Sequence, residues 1–127
     1  MQVNKSMLVG ALRMLQGLPF SAHGVVVLND EFVGKVMYYK TKRIAMLNST
    51  GEMLVRTPPN LTYRTEQQYL EGMLQAVEPD ATVRSINRRM VIHCSHGTYN
   101  YDGLCILNSG WLNIHQLLRG AYVEYSD

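Results

Sequence analysis

The chain reads as an α+β domain, an antiparallel sheet of short strands with two or three helices packed on one side. Three observations predict this. Short runs rich in valine, isoleucine and tyrosine follow one another with turn-forming residues between them, the pattern of an antiparallel meander. Separate segments carry apolar residues at helical spacing. At 127 residues, 46% of them hydrophobic and 17% charged, the chain suits one domain around one core. Residues 1–127 are accordingly expected to form a single domain. It should comprise an N-terminal helix over about 7–17, a sheet-and-helix core over about 24–107, and a C-terminal helix and tail over 110–127.

Met7, Leu8, Ala11, Leu12, Met14 and Leu15 recur at helical spacing, with Ser6 as N-cap and Gly17, ahead of Pro19, as the stop. Gly24 to Asp30 and Glu31 to Tyr39 then read as two strands joined around Asn29-Asp30. Lys40-Thr41-Lys42 turns the chain into Arg43 to Leu47, and Asn48-Ser49-Thr50-Gly51 turns it again into Glu52 to Arg56. Thr57-Pro58-Pro59-Asn60 is too stiff and too poor in N–H donors to continue a sheet.

Leu61 to Tyr63 is expected to return briefly to strand. Thr65 followed by Gln68 fits a capping box that opens a helix to about Val77, with Tyr69, Leu70, Met73, Leu74 and Val77 as its apolar stripe. Thr82 to Ile86 and Arg89 to Cys94 make a hairpin around Asn87-Arg88. Ser95 to Gly103 reads as a long turn before a strand over 104–107. Ser109 suits the cap of a last helix over 111–119, stopped by Gly120. The tail after it alternates like a strand, suited to pairing with a sheet edge or a second subunit, so a homo-oligomer is a further expectation.

No apolar run approaches the ~20 residues a bilayer requires, and no membrane partner is expected. Lys5 ahead of an apolar patch resembles a leader, but Arg13 and Gln16 interrupt it and no small-x-small cleavage site follows. Two cysteines beside eight methionines suit a reducing cytoplasm. The net charge of +2 is small, and its distribution is the informative part. Lys35, Lys40, Lys42, Arg43, Arg56 and Arg64 face one acid, Glu52, over 35–64, with Tyr38, Tyr39 and Tyr63 interleaved. Acids gather instead at Glu66, Glu71, Glu78 and Asp80, outside this segment. Cations and flat rings on a small rigid scaffold suit an anionic partner such as a nucleotide or nucleic acid. The plainer reading is a solvated edge whose lysines prevent aggregation.

The order of features over about 36–106 resembles small uncharacterised accessory proteins of tailed bacteriophages. The matching residues are Tyr38 to Thr41, Ile44-Ala45, Tyr63-Arg64-Thr65 with the helix behind it, and Tyr101-Asp102-Gly103. Where those proteins carry a glycine-tryptophan pair before the helix, this chain has Thr57-Pro58-Pro59-Asn60. The resemblance implies a viral origin, work in the cytoplasm of a host cell, and stoichiometric action such as blocking a host factor or sequestering a defence signal.

His93-Cys94-Ser95-His96 is the one stretch with catalytic or metal-binding chemistry. If the hairpin turns near Tyr99-Asn100, Cys105 falls opposite Cys94. Cys94, His96 and Cys105 then supply three zinc ligands, with His115 or water as the fourth. Two ordinary thiols in a hairpin explain the same residues, and no C-x-x-C spacing is present. No phosphate-cradling loop or dinucleotide fingerprint occurs, so no cofactor is expected. Tyr99, Tyr101 and Trp111 bracket a turn suited to stacking, and Arg84, Arg88 and Arg89 form a second basic patch at a hairpin tip.

The expectation is a non-enzymatic protein that binds an anionic ligand. Tyr38, Lys40, Lys42, Arg43, Arg56, Tyr63, Arg64, Arg88, Arg89, Tyr99 and Tyr101 would make the contacts. The alternatives are an inhibitor that docks on a host protein through the methionine-rich first helix and apolar tail, and a small Cys/His hydrolase or zinc protein.

Overall fold

A computed structural model describes residues 3–32, 34–56, 63–87, 89–100 and 111–120; side chains at 3–4 and 63–66 lie outside the description. In chain order the elements are α1 (Val3–Leu15), β1 (Phe20–Ala22), β2 (Val25–Asp30), β3 (Gly34–Tyr39), β4 (Lys42–Leu47), β5 (Met53–Val55), α2 (Tyr63–Gln75), β6 (Thr82–Ile86), β7 (Arg89–Cys94), β8 (Gly97–Asn100), β9 (Leu112–Asn113) and α3 (Ile114–Leu118). The fold is α+β, as the periodicities predict. Its strands divide into a six-stranded sheet, β1-β2-β3-β4-β5-β9, and a three-stranded sheet, β6-β7-β8, and every pairing is antiparallel.

Alternation decides which face of the large sheet is buried. Val25, Val27, Met37, Tyr39, Ala45, Val55 and Leu112 point into the core, while Val26, Tyr38 and Leu54 between them point the other way. On the core side Met7, Ala11 and Met14 of α1, at i, i+4 and i+7, are fully buried. The helix comes so close that a Cβ on Gly10 would lie 2.9 Å from Val25 Cγ1, so glycine is required there. Tyr69, Leu70, Met73 and Leu74 of α2 complete the layer. The Tyr69 ring meets Tyr39 edge-on at 6.3 Å, and its hydroxyl donates to the carbonyl of Arg56.

A β-bulge sets the phase of β4. Met37 pairs with Ala45 but Tyr38 pairs with Arg43, so Ile44 is the extra residue. Ile44 and Ala45 are therefore both buried, and Arg43 turns to the outer face beside Tyr38.

The second sheet shares the same core through Val83, Met90 and Ile92. Its β6 edge is closed by α2: Gln67 donates to Val83 O at 2.8 Å, Glu71 accepts from Val83 N at 3.0 Å, and Gln75 donates to Ala81 O at 3.2 Å. Glu71 is thus a strand-edge acceptor and not merely part of a solvated helix face.

Several boundaries differ from expectation, each for a physical reason. α1 begins at Val3, so Ser6 lies inside the helix, buried, with no partner for its Oγ among the described residues; it is not the cap. Its stop is as expected. Gly17 at φ 77° closes the helix while Leu18 N donates to Arg13 O and Gly17 N to Met14 O. A short strand, β1, was missed because three residues carry no period. It turns into β2 through His23-Gly24, at φ 52° and 83°.

Asn29 and Asp30 belong to β2 itself, and the turn follows at Glu31-Phe32, where Asp30 Oδ1 accepts from Phe32 N at 2.8 Å. α2 already includes Tyr63, which is therefore helical and not strand, and it places Thr65 within the first turn rather than at the cap. It ends at Gln75, two residues before Val77. Ser95 to Gly103 is not one long turn: the chain reverses at Ser95-His96, and β8 pairs directly with β7. The last helix is short, Ile114–Leu118. Its cap is Asn113, whose Oδ1 accepts from Gln116 N at 3.1 Å, because Leu112 and Asn113 are held in strand by β5. Ser109, the strand expected over 104–107 and the tail after Gly120 lie outside the described residues.

Candidate functional site

The two ends of the large sheet carry different chemistry. At one end lie the His23-Gly24 turn, the Lys40-Thr41 turn, Arg56 after β5 and Trp111 before β9. Lys40 and Thr41 take φ 48° and 72°, and Lys40 N donates to Gly24 O at 3.0 Å, so the two turns are tied together. Lys40 and Lys42 are exposed, and Arg43 and Arg56 are half-buried. The strand and turn acids described in this sheet, Asp30, Glu31 and Glu52, fall at the opposite end.

Each cation here has a distinct setting. Lys40 Nζ stands 5.3 Å from the centre of the Tyr39 ring, and the Arg56 guanidinium lies 5.1 Å from the Trp111 ring. Lys42 and Arg43 form no ion pair with a described residue; the ion pair among the described residues is Arg119 with Glu52. Tyr38, Arg43, Arg56 and Trp111 stand in that order on β3, on β4, just after β5 and just before β9. Met37, Ala45, Val55 and Leu112 fill the core beneath them, so alternation turns these four to the outer face.

The opposite end is a closed network. Glu52 Oε1 accepts from Asn113 Nδ2 at 3.2 Å, Thr50 Oγ1 at 3.2 Å and Asn48 Nδ2 at 3.4 Å, and Oε2 receives Arg119. Asn48 Oδ1 in turn accepts from Thr50 N at 3.0 Å and Glu52 N at 2.9 Å, folding the β4–β5 turn around it. The Arg119 guanidinium first, then the Asn113 and Asn48 amides, hold the Glu52 carboxyl down to about 2. Beside it His115 Nδ1 accepts from Met53 N at 2.9 Å. Burial, and to a lesser degree Arg119, push the imidazole below its usual value.

The sequence-selected residues are thus partly gathered. Tyr38, Lys40, Lys42, Arg43 and Arg56 share one end of the large sheet. Tyr63 and Arg64 open α2, with side chains outside the description. Arg89 is exposed on the outer face of the small sheet with Arg84, while Arg88 and Tyr101 are not among the described residues. Tyr99 pairs with Ile92 and packs half-buried against the core, so its ring is held from below and is not free to stack on both faces. Trp111 belongs with Arg56 rather than with Tyr99, a contact spanning the whole of α2 and the small sheet that local reading could not supply.

The cysteine and histidine candidates that are described lie at the small sheet and on α3. Cys94 is opposite Gly97, with Sγ 3.6 Å from Gly97 O, so the hairpin does not turn near Tyr99-Asn100 as the zinc reading supposes; Cys105 lies outside the described residues. His115 is already an acceptor for Met53, and no cluster of three metal-ligating side chains occurs among the described residues. A hollow of about 500 Å³ opens between Glu78, Asp80, His93, Cys94 and Ser95. Ser95 Oγ and N both donate to Glu78, at 2.7 and 3.1 Å, and His93 Nδ1 meets Thr98 Oγ1 at 3.3 Å, while His93 Nε2 is buried with no partner among the described residues. Met7 and Met14 are core residues, so α1 does not offer them to a docking partner. No helix among the described residues is long and apolar enough to cross a membrane, which says nothing of a β-barrel.

Comparison with protein families, with curated proteins and with solved structures finds no match for this chain.

Proposed function

We propose that the chain is a non-enzymatic binding protein whose ligand is a nucleotide or nucleic acid, taken at the Lys40 end of the large sheet. One observation carries this reading: Lys40, Lys42, Arg43 and Arg56 share one end of the sheet with Tyr38 and Trp111, while the described strand and turn acids of the same sheet lie at its far end. Like charges held together repel, a cost that an arriving polyanion reverses while releasing its counterions. For a chain that resembles phage accessory proteins, such binding would act stoichiometrically in the host cytoplasm, by occupying a nucleic acid or sequestering a nucleotide signal.

The test is calorimetry against single strands, duplexes and cyclic nucleotides at two salt concentrations, with wild type and with Lys42→Glu/Arg43→Glu. Four cation contacts to a single strand predict a slope of about −3 in log K against log salt. The reversed variant should not bind. Absence of salt-sensitive binding to any of these anions would end the reading and leave docking on a host protein ahead.

A further inference from the structure

We propose that Tyr38, Arg43, Arg56 and Trp111 form a track for single-stranded nucleic acid running across the strands of the outer sheet face. The inference rests on the anionic-ligand reading above and narrows it. Three features of the row support a single strand over a duplex or a free phosphate.

The first is spacing. Four neighbouring strands carry the row, so its aromatic ends are about 14 Å apart, three inter-strand steps of ~4.8 Å. A stacked strand advances only ~3.4 Å per nucleotide. Bases resting on the two rings must therefore belong to separate, splayed nucleotides, with the intervening backbone over the two arginines. A duplex keeps its base faces inside its own stack and cannot make this contact.

The second is the pairing of ring and cation at each half of the row. Tyr38 is the cross-strand partner of Arg43, and Arg56 already lies 5.1 Å from the Trp111 ring. Each base face thus has a guanidinium beside it, the combination that binds single strands with little sequence preference. Arginine forks also grip phosphate oxygens in pairs.

The third is what flanks the row. Val26 is opposite Tyr38, and Met46 and Leu54 are opposite each other one pleat further along the same face, all half-buried. The described acids of this sheet stand away from the row, so a backbone crossing the sheet here meets cations and apolar surface. The bulge at Ile44 serves this arrangement, since without it Arg43 would point into the core and the row would be broken.

Trp111 is the single tryptophan of the chain, which gives the native protein a built-in reporter. The experiment titrates unlabelled oligothymidylate, a hairpin duplex and inorganic polyphosphate into the wild-type protein, following tryptophan emission and calorimetric heat. The track predicts that oligothymidylate quenches Trp111 on binding, whereas polyphosphate binds without quenching. It also predicts that Tyr38→Leu weakens oligothymidylate about tenfold while polyphosphate affinity is unchanged. Because Tyr38 is half-buried, circular dichroism melts of the variant are read alongside, and wild-type quenching decides the question if that variant fails to fold. Salt-sensitive binding of polyphosphate or duplex with no quenching by the single strand overturns the track and leaves the basic end as a general anion site. No binding of any polyanion overturns both.

Discussion

The two ends of the six-stranded sheet show the same kinds of residue put to opposite uses. At the Glu52 end a carboxylate, a guanidinium, two amides and a hydroxyl consume one another's hydrogen bonds, and the result is a clasp between the β4–β5 turn and the β9–α3 segment. At the Lys40 end Lys42 and Arg43 have no ion-pair partner among the described residues, and the strained Lys40-Thr41 turn presents further charge. Polar groups that satisfy each other stabilise a fold; polar groups of one sign held apart from their counterparts are available for something else. The difference locates where this molecule spends stability and where it keeps chemistry in reserve.

Substitutions ordered by their effect on stability should break or sharpen that contrast. The largest loss is expected at Ile44→Ala, which empties a fully buried site under the bulge and should cost roughly 3 kcal/mol. The urea midpoint should fall with its slope unchanged. A fall in the slope as well would mean that the denatured or native ensemble had changed. Tyr69→Phe should cost about 1–2 kcal/mol, because the half-buried carbonyl of Arg56 loses the donor that ties it to α2. If the melting curve does not move, a water replaces the hydroxyl and α2 does not hold the Lys40 end.

Glu52→Gln should destabilise the protein at neutral pH without touching anion binding. Its folded carboxyl sits near 2 against an ordinary 4.5, so its contribution is full above about pH 4.5 and is lost as pH falls through 2. Wild-type and variant melting temperatures should therefore converge in acid, and a constant gap would show that charge is not what the clasp uses. His115 adds to acid sensitivity with the same sign. Its lowered folded value means that the unfolded chain takes up the proton first as pH drops below about 6.5, and protonation removes the acceptor for Met53 N. The smallest change in stability, within about 0.5 kcal/mol, belongs to Lys42→Glu/Arg43→Glu, the pair expected to abolish binding. A large destabilisation there would mean that these cations pay a structural role after all.

What was legible in the sequence follows range of interaction. The class, most strands, the Gly17 stop and the apolar stripe of α2 are written in local period and turn chemistry, and they were readable. Asn113 is not legible as a cap because its strand conformation comes from β5, and Glu52 reads only as the start of a strand because its partners Asn113 and Arg119 lie 61 and 67 residues away. The zinc reading supposes a hairpin that reverses near Tyr99-Asn100, and the chain reverses at Ser95-His96 instead, a position that no local period marks. Half of the candidate site was visible as a basic segment. Trp111 was not, since only strand pairing brings it to Arg56.

The bulge makes the outer row a matter of parity. Side chains in β4 alternate, so the facing of Arg43 is decided by whether the one residue between it and Ala45 is taken out of the alternation by the bulge. A single-codon deletion at Ile44 would remove the bulge and leave Arg43 beside Ala45 and opposite Tyr38, still facing outward. Homologues without this codon could therefore keep the row, whereas one that keeps it and flattens the bulge would turn a cation inward, a change that an alignment scored by residue identity alone would overlook.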